Sequence, residues 1–148
     1  MTEALSEVDI ESVIPHRDWI KVISEVLEIT DDAAVAAALV KPTWPLCNGA
    51  SVNPIVLIEV IAQTAAVIDG IKRKKQGKSG GKGWLVGIKS AQFNITEIPV
   101  GTKLIARVRN SYSFDNYSVI EGTVYADEET LALIVLQALR MNEDQTND

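Results

Sequence analysis

Residues 51–71 read SVNPIVLIEVIAQTAAVIDGI, a long apolar stretch that holds few polar residues. Asn53 can accept hydrogen bonds from the first free N–H groups of a helix, and Pro54 suits the first helical position, where its missing N–H is no loss. The stretch therefore predicts a helix from residue 54 to about residue 71. Because its apolar residues spread around the whole circumference, other parts of the chain are expected to enclose this helix on most sides.

Two polar residues of this stretch, Glu59 and Gln63, lie four positions apart and so share one face of the predicted helix. A carboxylate in apolar surroundings is a candidate for proton transfer, because burial favours its protonated form. A glutamate on a helix is more often simply solvated, and Gln63 would serve equally well to satisfy backbone groups. The apolar neighbours keep a functional role of Glu59 open beside the structural one.

The chain has the size and composition of one globular domain, with 148 residues that are 47% hydrophobic and 23% charged. Its net charge of -6 argues against general nucleic-acid binding. Cys47 is the only cysteine and His16 the only histidine, which excludes an intrachain disulfide and the usual cysteine or histidine metal sites. We therefore expect one domain over residues 1–148, with frayed ends at 1–9 and 142–148 and no metal.

The N-terminus and the apolar stretch bear on where the protein is found. A signal peptide begins with a basic segment that an apolar segment follows. The first residues here, MTEALSEVDIE, are acidic, so no signal peptide is indicated. Polar residues interrupt the apolar stretch and make it a poor membrane span, namely Glu59, Gln63, Thr64 and Asp69. The sequence predicts a cytoplasmic protein without a membrane span.

The rest of the sequence predicts mostly strands. Residues 3–13 have the spacing of a short amphipathic helix that ends before Pro15. The expected strands are residues 19–29, 33–40, 84–95, 102–114, 117–126 and 130–141, although the alanines of 33–40 also suit a helix. Residues 41–52 predict a loop, and the lysine- and glycine-rich residues 72–83 predict a flexible basic connection. One enclosed helix and a mostly antiparallel sheet indicate an α+β fold in which the sheet curls around the helix.

Three segments in order along the chain carry a family resemblance. They are IPHR (residues 14–17) before a strand that ends VLEI, IVLIEVIAQTAA (55–66) and VGIKSAQFNITEIPVGTKL (86–104). From about residue 10 to residue 141 the chain resembles the hotdog-fold 3-hydroxyacyl-(acyl-carrier-protein) dehydratases of the FabZ/FabA type. The resemblance implies a hotdog fold, in which an antiparallel β-sheet wraps a long central helix, and a dimeric protein.

By this resemblance Glu59 occupies the position of the family's helix carboxylate, and Gln63 that of the glutamine one turn later. The family's other catalytic residue is a histidine in a GHFPG loop before the helix, and here the sequence departs from the pattern. Residues 45–49 resemble the start of that loop, which is then shortened, and Ala50 stands where the histidine would be. IPHR (residues 14–17) resembles an LPHR turn of the family, which is separate from the GHFPG loop. His16 matches the histidine of that turn. Dehydration needs a base for the α-proton and an acid for the departing hydroxyl, so this chain supplies at most one of them.

The active site of this family lies at a dimer interface, where the loop of one subunit faces the helix of the other. The resemblance therefore implies a homodimer or a heterodimer, and a chain without the histidine could be a half-site subunit beside a histidine-bearing homologue. Divergent dehydratase-like proteins of aryl-polyene biosynthesis are similar in their short loop and E-x-x-A-Q helix, and the chain resembles them most. No cofactor is implied, because the phosphopantetheine of acyl carrier protein or coenzyme A carries the acyl substrate.

The remaining site residues lie in the loop and after the helix. Cys47, Asn48 and Gly49 are expected to bind substrate together with Gln63, although Cys47 also suits packing and Asn48 a turn. A basic run on an acidic protein could attract an acidic carrier protein, or it could be only a solvated loop. The residues expected to bind the carrier protein are Lys72, Arg73, Lys74 and Lys75.

The expected function is that of a dehydratase-like protein in fatty acid, polyketide or aryl-polyene type synthesis. One alternative is a thioesterase of the same fold, in which Glu59 would activate water for attack on the thioester. Another is a non-catalytic module that binds acyl groups or a partner. Reversible hydration of an enoyl thioester indicates the first function, release of free thiol the second, and neither reaction the third.

Overall fold

The computed structural model describes residues 21–77 and 82–141, except for the side chains of residues 82–86 and 141. The helix predicted at residues 3–13, the turn that contains His16 and the ends expected to fray at 1–9 and 142–148 lie outside these ranges. The elements within them are β1 (Glu25–Ile29), β2 (Ala33–Leu39), β3 (Ser51–Val52), α1 (Val56–Lys75), β4 (Lys82–Phe93), β5 (Ile98–Pro99), β6 (Lys103–Phe114), β7 (Tyr117–Ala126) and β8 (Glu129–Met141).

Six of these strands form one sheet in the order β1-β2-β6-β7-β8-β4, and β3 pairs with β5 in a separate two-stranded ladder. All neighbours in the sheet are antiparallel. Tight turns join β6 to β7 and β7 to β8, with Asp115 and Asp127 at φ values of 56° and 54°. Aspartate tolerates this left-handed conformation better than most residues. The predicted antiparallel meander is confirmed, and β2 is a strand rather than a helix.

The helix α1 packs on one face of this sheet, against β2, β6, β7 and β8. The strand residues that face the helix are buried in alternation, as the two-residue period of a strand requires. In β8 these residues are Ala132, Ile134, Leu136 and Ala138. On the helix, Leu57, Val60, Ile61 and Val67 are completely buried. The helix and the inner face of the sheet thus form one hydrophobic core.

Gly122 of β7 marks a very close approach of the sheet to the helix. A Cβ atom at this position would lie 2.5 Å from Cδ1, 2.7 Å from Cγ2 and 2.9 Å from Cγ1 of Ile61. In a close-packed interior no side chain can be accommodated at such distances without displacing its neighbours. Glycine at this position therefore allows Ile61 to pack directly on the β7 backbone.

The helix differs from its predicted span at both ends. Oδ1 of Asn53 accepts a hydrogen bond from the N–H of Ile55 at 3.0 Å, and the regular helix begins only at Val56. At the other end α1 continues to Lys75. The prediction that the flexible connection begins at residue 72 is therefore wrong for residues 72–75. Lysine and arginine are good helix formers, and their charges interact favourably with the C-terminal end of the helix dipole.

Two other predicted bounds need correction. β1 begins at Glu25 rather than near residue 19, and residues 21–24 precede it without regular structure. The predicted loop at 41–52 ends in a strand, because Ser51 and Val52 pair with Pro99 and Ile98. Val52 and Ile98 are both buried, so this short ladder adds to the hydrophobic core.

Candidate functional site

One stripe of α1, which we call the Glu59 stripe, is covered only in part by the described chain. It consists of Ile55, Ile58, Glu59 and Ala62, which follow the i, i+3, i+4, i+7 spacing of one helix face. Ile55 is 49% exposed, and the other three residues are partly buried. Most remaining positions from Val56 to Gly70 are buried. Glu59 therefore lies among apolar side chains on the helix face that residues 21–77 and 82–141 leave partly exposed.

Gln63 joins Glu59 to the segment that precedes β1. Its side chain is 0% exposed, and its Oε1 accepts hydrogen bonds from the backbone N–H of Val22 at 2.8 Å and of Ile23 at 3.4 Å. Its Nε2 donates a hydrogen bond to Oε1 of Glu59 at 2.9 Å. The structure thus brings the two predicted helix residues together and gives Gln63 backbone partners. Contact of Gln63 with substrate stays a prediction.

The residues predicted to bind substrate before the helix form a tight loop over residues 46–53. Oδ1 of Asn48 accepts hydrogen bonds from the N–H of Ala50 at 3.0 Å and of Ser51 at 2.9 Å. Sγ of Cys47 accepts a hydrogen bond from the N–H of Gly49 at 3.3 Å, and Gly49 has a φ of 103°. The polar atoms of Cys47 and Asn48 therefore shape the loop. Substrate binding by these residues stays a prediction.

Two backbone hydrogen bonds hold the same loop in place, one within the loop and one to the neighbouring segment at Val100. The carbonyl oxygen of Ala50 accepts a hydrogen bond from the N–H of Val100 at 2.9 Å, and that of Leu46 accepts one from the N–H of Asn53 at 3.1 Å. Leu46 is exposed and has a φ of 62°, a left-handed conformation that is rare for a leucine. The loop is therefore fixed at its start, its middle and its end.

The residues predicted to bind a carrier protein form the last turn of α1, which we call the basic end. It consists of Lys72, Arg73, Lys74 and Lys75, of which the three lysines are exposed. Lys72 follows Glu59 by thirteen residues, which corresponds to about 20 Å along a helix axis. The Glu59 stripe and the basic end thus lie at different ends of the helix.

A polar pair that was not predicted from the sequence lies near the basic end. Asp69 is 8% exposed and forms an ion pair with Arg140 of β8. Burial lowers the pKa of the Arg140 guanidinium from its ordinary value. Both residues line a cavity of about 190 Å³ between α1 and the β6–β7 hairpin. The sequence did hold a signal, because Asp69 interrupts an apolar helix and Arg140 continues the inward alternation of β8.

Candidate metal sites and membrane-spanning helices are absent from the part of the chain that the structure describes. Among residues 21–77 and 82–141, no three His, Cys, Asp or Glu side chains are placed to hold a metal ion together. In the same ranges, no helix combines the length and the apolar character needed to cross a bilayer.

Comparison with known proteins shows the family of this chain. Residues 8–147 match the model of the family described as ApeP-like, ApeP dehydratase. The chain belongs to the ApeP-like dehydratase family. It is 32% identical over 129 residues to the 3-hydroxyacyl-(acyl-carrier-protein) dehydratase FabZ of Streptococcus uberis, a match that covers 84% of this chain and 89% of the relative. It is 30% identical over 128 residues to the FabZ of Streptococcus mutans, covering 83% and 89%.

Solved structures show the same fold as this ApeP-like chain. A chain of the dehydratase heterocomplex ApeI:P from Xenorhabdus doucetiae matches with a TM-score of 0.85 at 16% identity, covering 94% of this chain and 95% of that chain. A hypothetical thioesterase with coenzyme A from Streptococcus pneumoniae matches with a TM-score of 0.61 at 11% identity, covering 80% and 85%. Sequence identities as low as these show a shared fold and nothing more. Together with the family match, they confirm the predicted hotdog fold and the predicted dehydratase-like character.

Proposed function

We propose that this ApeP-like protein supplies one half of a dehydratase active site and that a histidine-bearing homologue supplies the other half. The observation that carries the proposal is the Glu59 stripe, where Gln63 holds a carboxylate on an apolar helix face that the described chain covers only in part. Apolar side chains that are left partly exposed side by side can form part of an interaction site. The similar chain from Xenorhabdus doucetiae comes from a dehydratase heterocomplex, which supports a partner of the same class.

The outermost strand β4 supports an assembly of two subunits. β4 pairs with β8 and ends the order of the described sheet. Its residues 87–93 are exposed, and they include the apolar side chains of Ile88 and Phe93. The outer edge of such a strand presents N–H and C=O groups that can pair with another chain. A strand of a second subunit along β4 would pair these groups and would cover the apolar side chains.

The proposed reaction is the removal of water from a 3-hydroxyacyl thioester. A base takes the α-proton and an acid protonates the departing hydroxyl, so that the C–O bond breaks and an enoyl thioester and water are formed. In this proposal Glu59 carries out one of the two proton transfers, and the partner's histidine carries out the other. By the family resemblance Ala50 stands at the histidine position, and in this loop Asn48 accepts hydrogen bonds from the N–H groups of Ala50 and Ser51.

A mixing experiment tests the half-site proposal. The isolated protein is expected to hydrate a crotonyl thioester at least about a hundredfold more slowly than its mixture with a histidine-bearing homologue, because one of the two proton-transfer groups is missing. The rate is measured from the loss of enoyl absorbance for each protein alone and for the mixture.

The control for this experiment is a mixture in which the homologue's histidine is replaced by alanine, and it should be as slow as the isolated protein. Full activity of the isolated protein would exclude the half-site proposal. Release of free thiol without hydration would favour the thioesterase alternative. A mixture that catalyses neither reaction would favour the binding module.

We further propose that the substrate arrives on an acyl carrier protein that docks at the basic end. Four cationic side chains in one helical turn, on a chain with a net charge of -6, create a local positive potential. Such a potential attracts an acidic partner and raises its rate of association. The phosphopantetheine arm would then have to bridge the distance of about 20 Å between the basic end and Glu59.

Neutralising the basic end tests the docking proposal. In the mixture, replacing Lys74 and Lys75 with glutamine is expected to raise the KM for a carrier-bound substrate roughly tenfold, because the attraction is weakened. The KM for an uncharged N-acetylcysteamine thioester should stay the same. The matched control replaces Lys103 and Arg107 of β6 with glutamine, since both are exposed. Equal effects of the two double variants would attribute the result to net charge and would contradict docking at the basic end.

A further inference from the structure

We infer that Gln63 is a positioning residue, which fixes the carboxylate of Glu59 through its side-chain amide and is itself fixed by the backbone of residues 22–23. The inference rests on the proposed role of Glu59 and adds a residue that acts through Glu59 rather than on the substrate. Gln63 is 0% exposed in this chain, so its amide is enclosed by protein. Its two ends hold different parts of the fold together.

The orientation of the Gln63 amide follows from its partners. A backbone N–H can only donate, so the atom of Gln63 that lies 2.8 Å from the nitrogen of Val22 is the acceptor Oε1. The donor Nε2 then faces Glu59, and its distance of 2.9 Å to Oε1 of Glu59 is that of a good N–H···O bond. The flipped amide would place NH₂ against an N–H and a carbonyl against a carboxylate. The hydrogen-bond network therefore assigns the amide without ambiguity.

This orientation has two consequences for Glu59. The donated hydrogen bond favours the ionised form of the carboxyl and restrains its rotation about the side-chain bonds. The bond also makes the position of Glu59 depend on Val22, which lies outside the helix. A catalytic group that is displaced by about 1 Å can lose a hundredfold in rate, so the loss of this restraint should be measurable.

Two substitutions separate positioning from a merely structural role. Gln63→Glu keeps an oxygen towards the N–H of Val22 but replaces the donor that faces Glu59 with an acceptor. Gln63→Met keeps the side-chain length and removes the hydrogen bonds to Glu59, Val22 and Ile23. In the complex with the histidine-bearing homologue, both variants are expected to lower kcat by about 10- to 100-fold with little change in KM. Circular dichroism and thermal melting show whether each variant is folded.

The kinetic outcomes distinguish this inference from the proposed function. Wild-type kcat in folded Gln63→Met would show that the hydrogen bonds of Gln63 do not position Glu59, and it would overturn the inference. Wild-type activity of Glu59→Gln in the same complex would overturn the proposed function instead.

A measurement on the isolated protein tests the inference without any activity. Glutamate labelled with ¹³C at Cδ reports the titration of Glu59 by NMR, and the resonance is assigned by its absence in Glu59→Gln. In Gln63→Met the titration midpoint is expected to move to higher pH, because a hydrogen bond to the ionised carboxylate is lost. An unchanged midpoint in the folded variant would overturn the inference.

Discussion

Replacing Glu59 with glutamine is expected to lower the kcat of the mixed complex by about a hundredfold to ten-thousandfold, the usual loss when a general acid or base is removed. The side chain keeps its size, so the packing among Ile55, Ile58 and Ala62 should be preserved. The amide cannot accept and release a proton near neutral pH, which removes one of the two proton transfers. The measurement is the rate of enoyl thioester hydration at saturating substrate, with the melting temperature as a check on folding.

The matched control for this prediction is Glu28→Gln in β1, which makes the same chemical change at an exposed position. It should leave both kcat and the melting temperature unchanged. If Glu59→Gln is as active as this control, the chain contributes a scaffold to the complex and no proton transfer.

Replacing Gly122 with alanine is expected to lower the free energy of unfolding by about 1–3 kcal/mol, because the added methyl group overpacks the core. The clash cannot be relieved by moving only the tip of Ile61, since Cγ1 and Cγ2 would lie within 2.9 Å as well as Cδ1. The helix and β7 therefore have to separate locally. Urea denaturation followed by circular dichroism measures the change.

A double-mutant cycle identifies Ile61 as the cause. Ile61→Ala alone should cost about 2–5 kcal/mol, because it leaves a cavity in the core. The double variant Ile61→Ala, Gly122→Ala should lose less free energy of unfolding than the sum of the two single losses, because the new methyl group enters the vacated space. The control is Gly87→Ala in β4, where a Cβ would lie 3.5 Å from the Gln137 side chain. A loss in that control equal to the loss in Gly122→Ala would contradict the proposed clash.

The strands from β6 to β8 were predictable from local sequence. The predicted spans 102–114, 117–126 and 130–141 differ from the observed strands by no more than one residue at either end. Alternating side chains and short turns encode these elements locally. The end of the helix was less predictable, because residues 72–75 are good helix formers that stand next to a glycine-rich segment. The helix continues because the packed preceding turns supply the nucleus that these good helix formers extend.

The site was predictable only where the helix itself supplies the geometry. A spacing of four residues places Gln63 beside Glu59, and the structure has them hydrogen-bonded. The partner of Gln63 at Val22 lies 41 positions away in sequence, and Asp69 meets Arg140 across the fold. The contact of Gly122 with Ile61 is also long-range. Such contacts follow from the register of the sheet and its packing on the helix, which no local pattern specifies.

The loop of residues 46–53 bears on whether evolution can restore the missing histidine. Ala50 is held at its N–H by Asn48 and at its carbonyl by Val100, and the preceding Gly49 has a φ that other residues rarely adopt. A point mutation of Ala50 to histidine would put the imidazole on this short loop and not on the longer loop of the FabZ type. A longer loop requires an insertion beside residues whose backbone groups are already hydrogen-bonded. Under the half-site proposal, the short loop thus makes a return of the histidine difficult and keeps this chain dependent on the partner that supplies it.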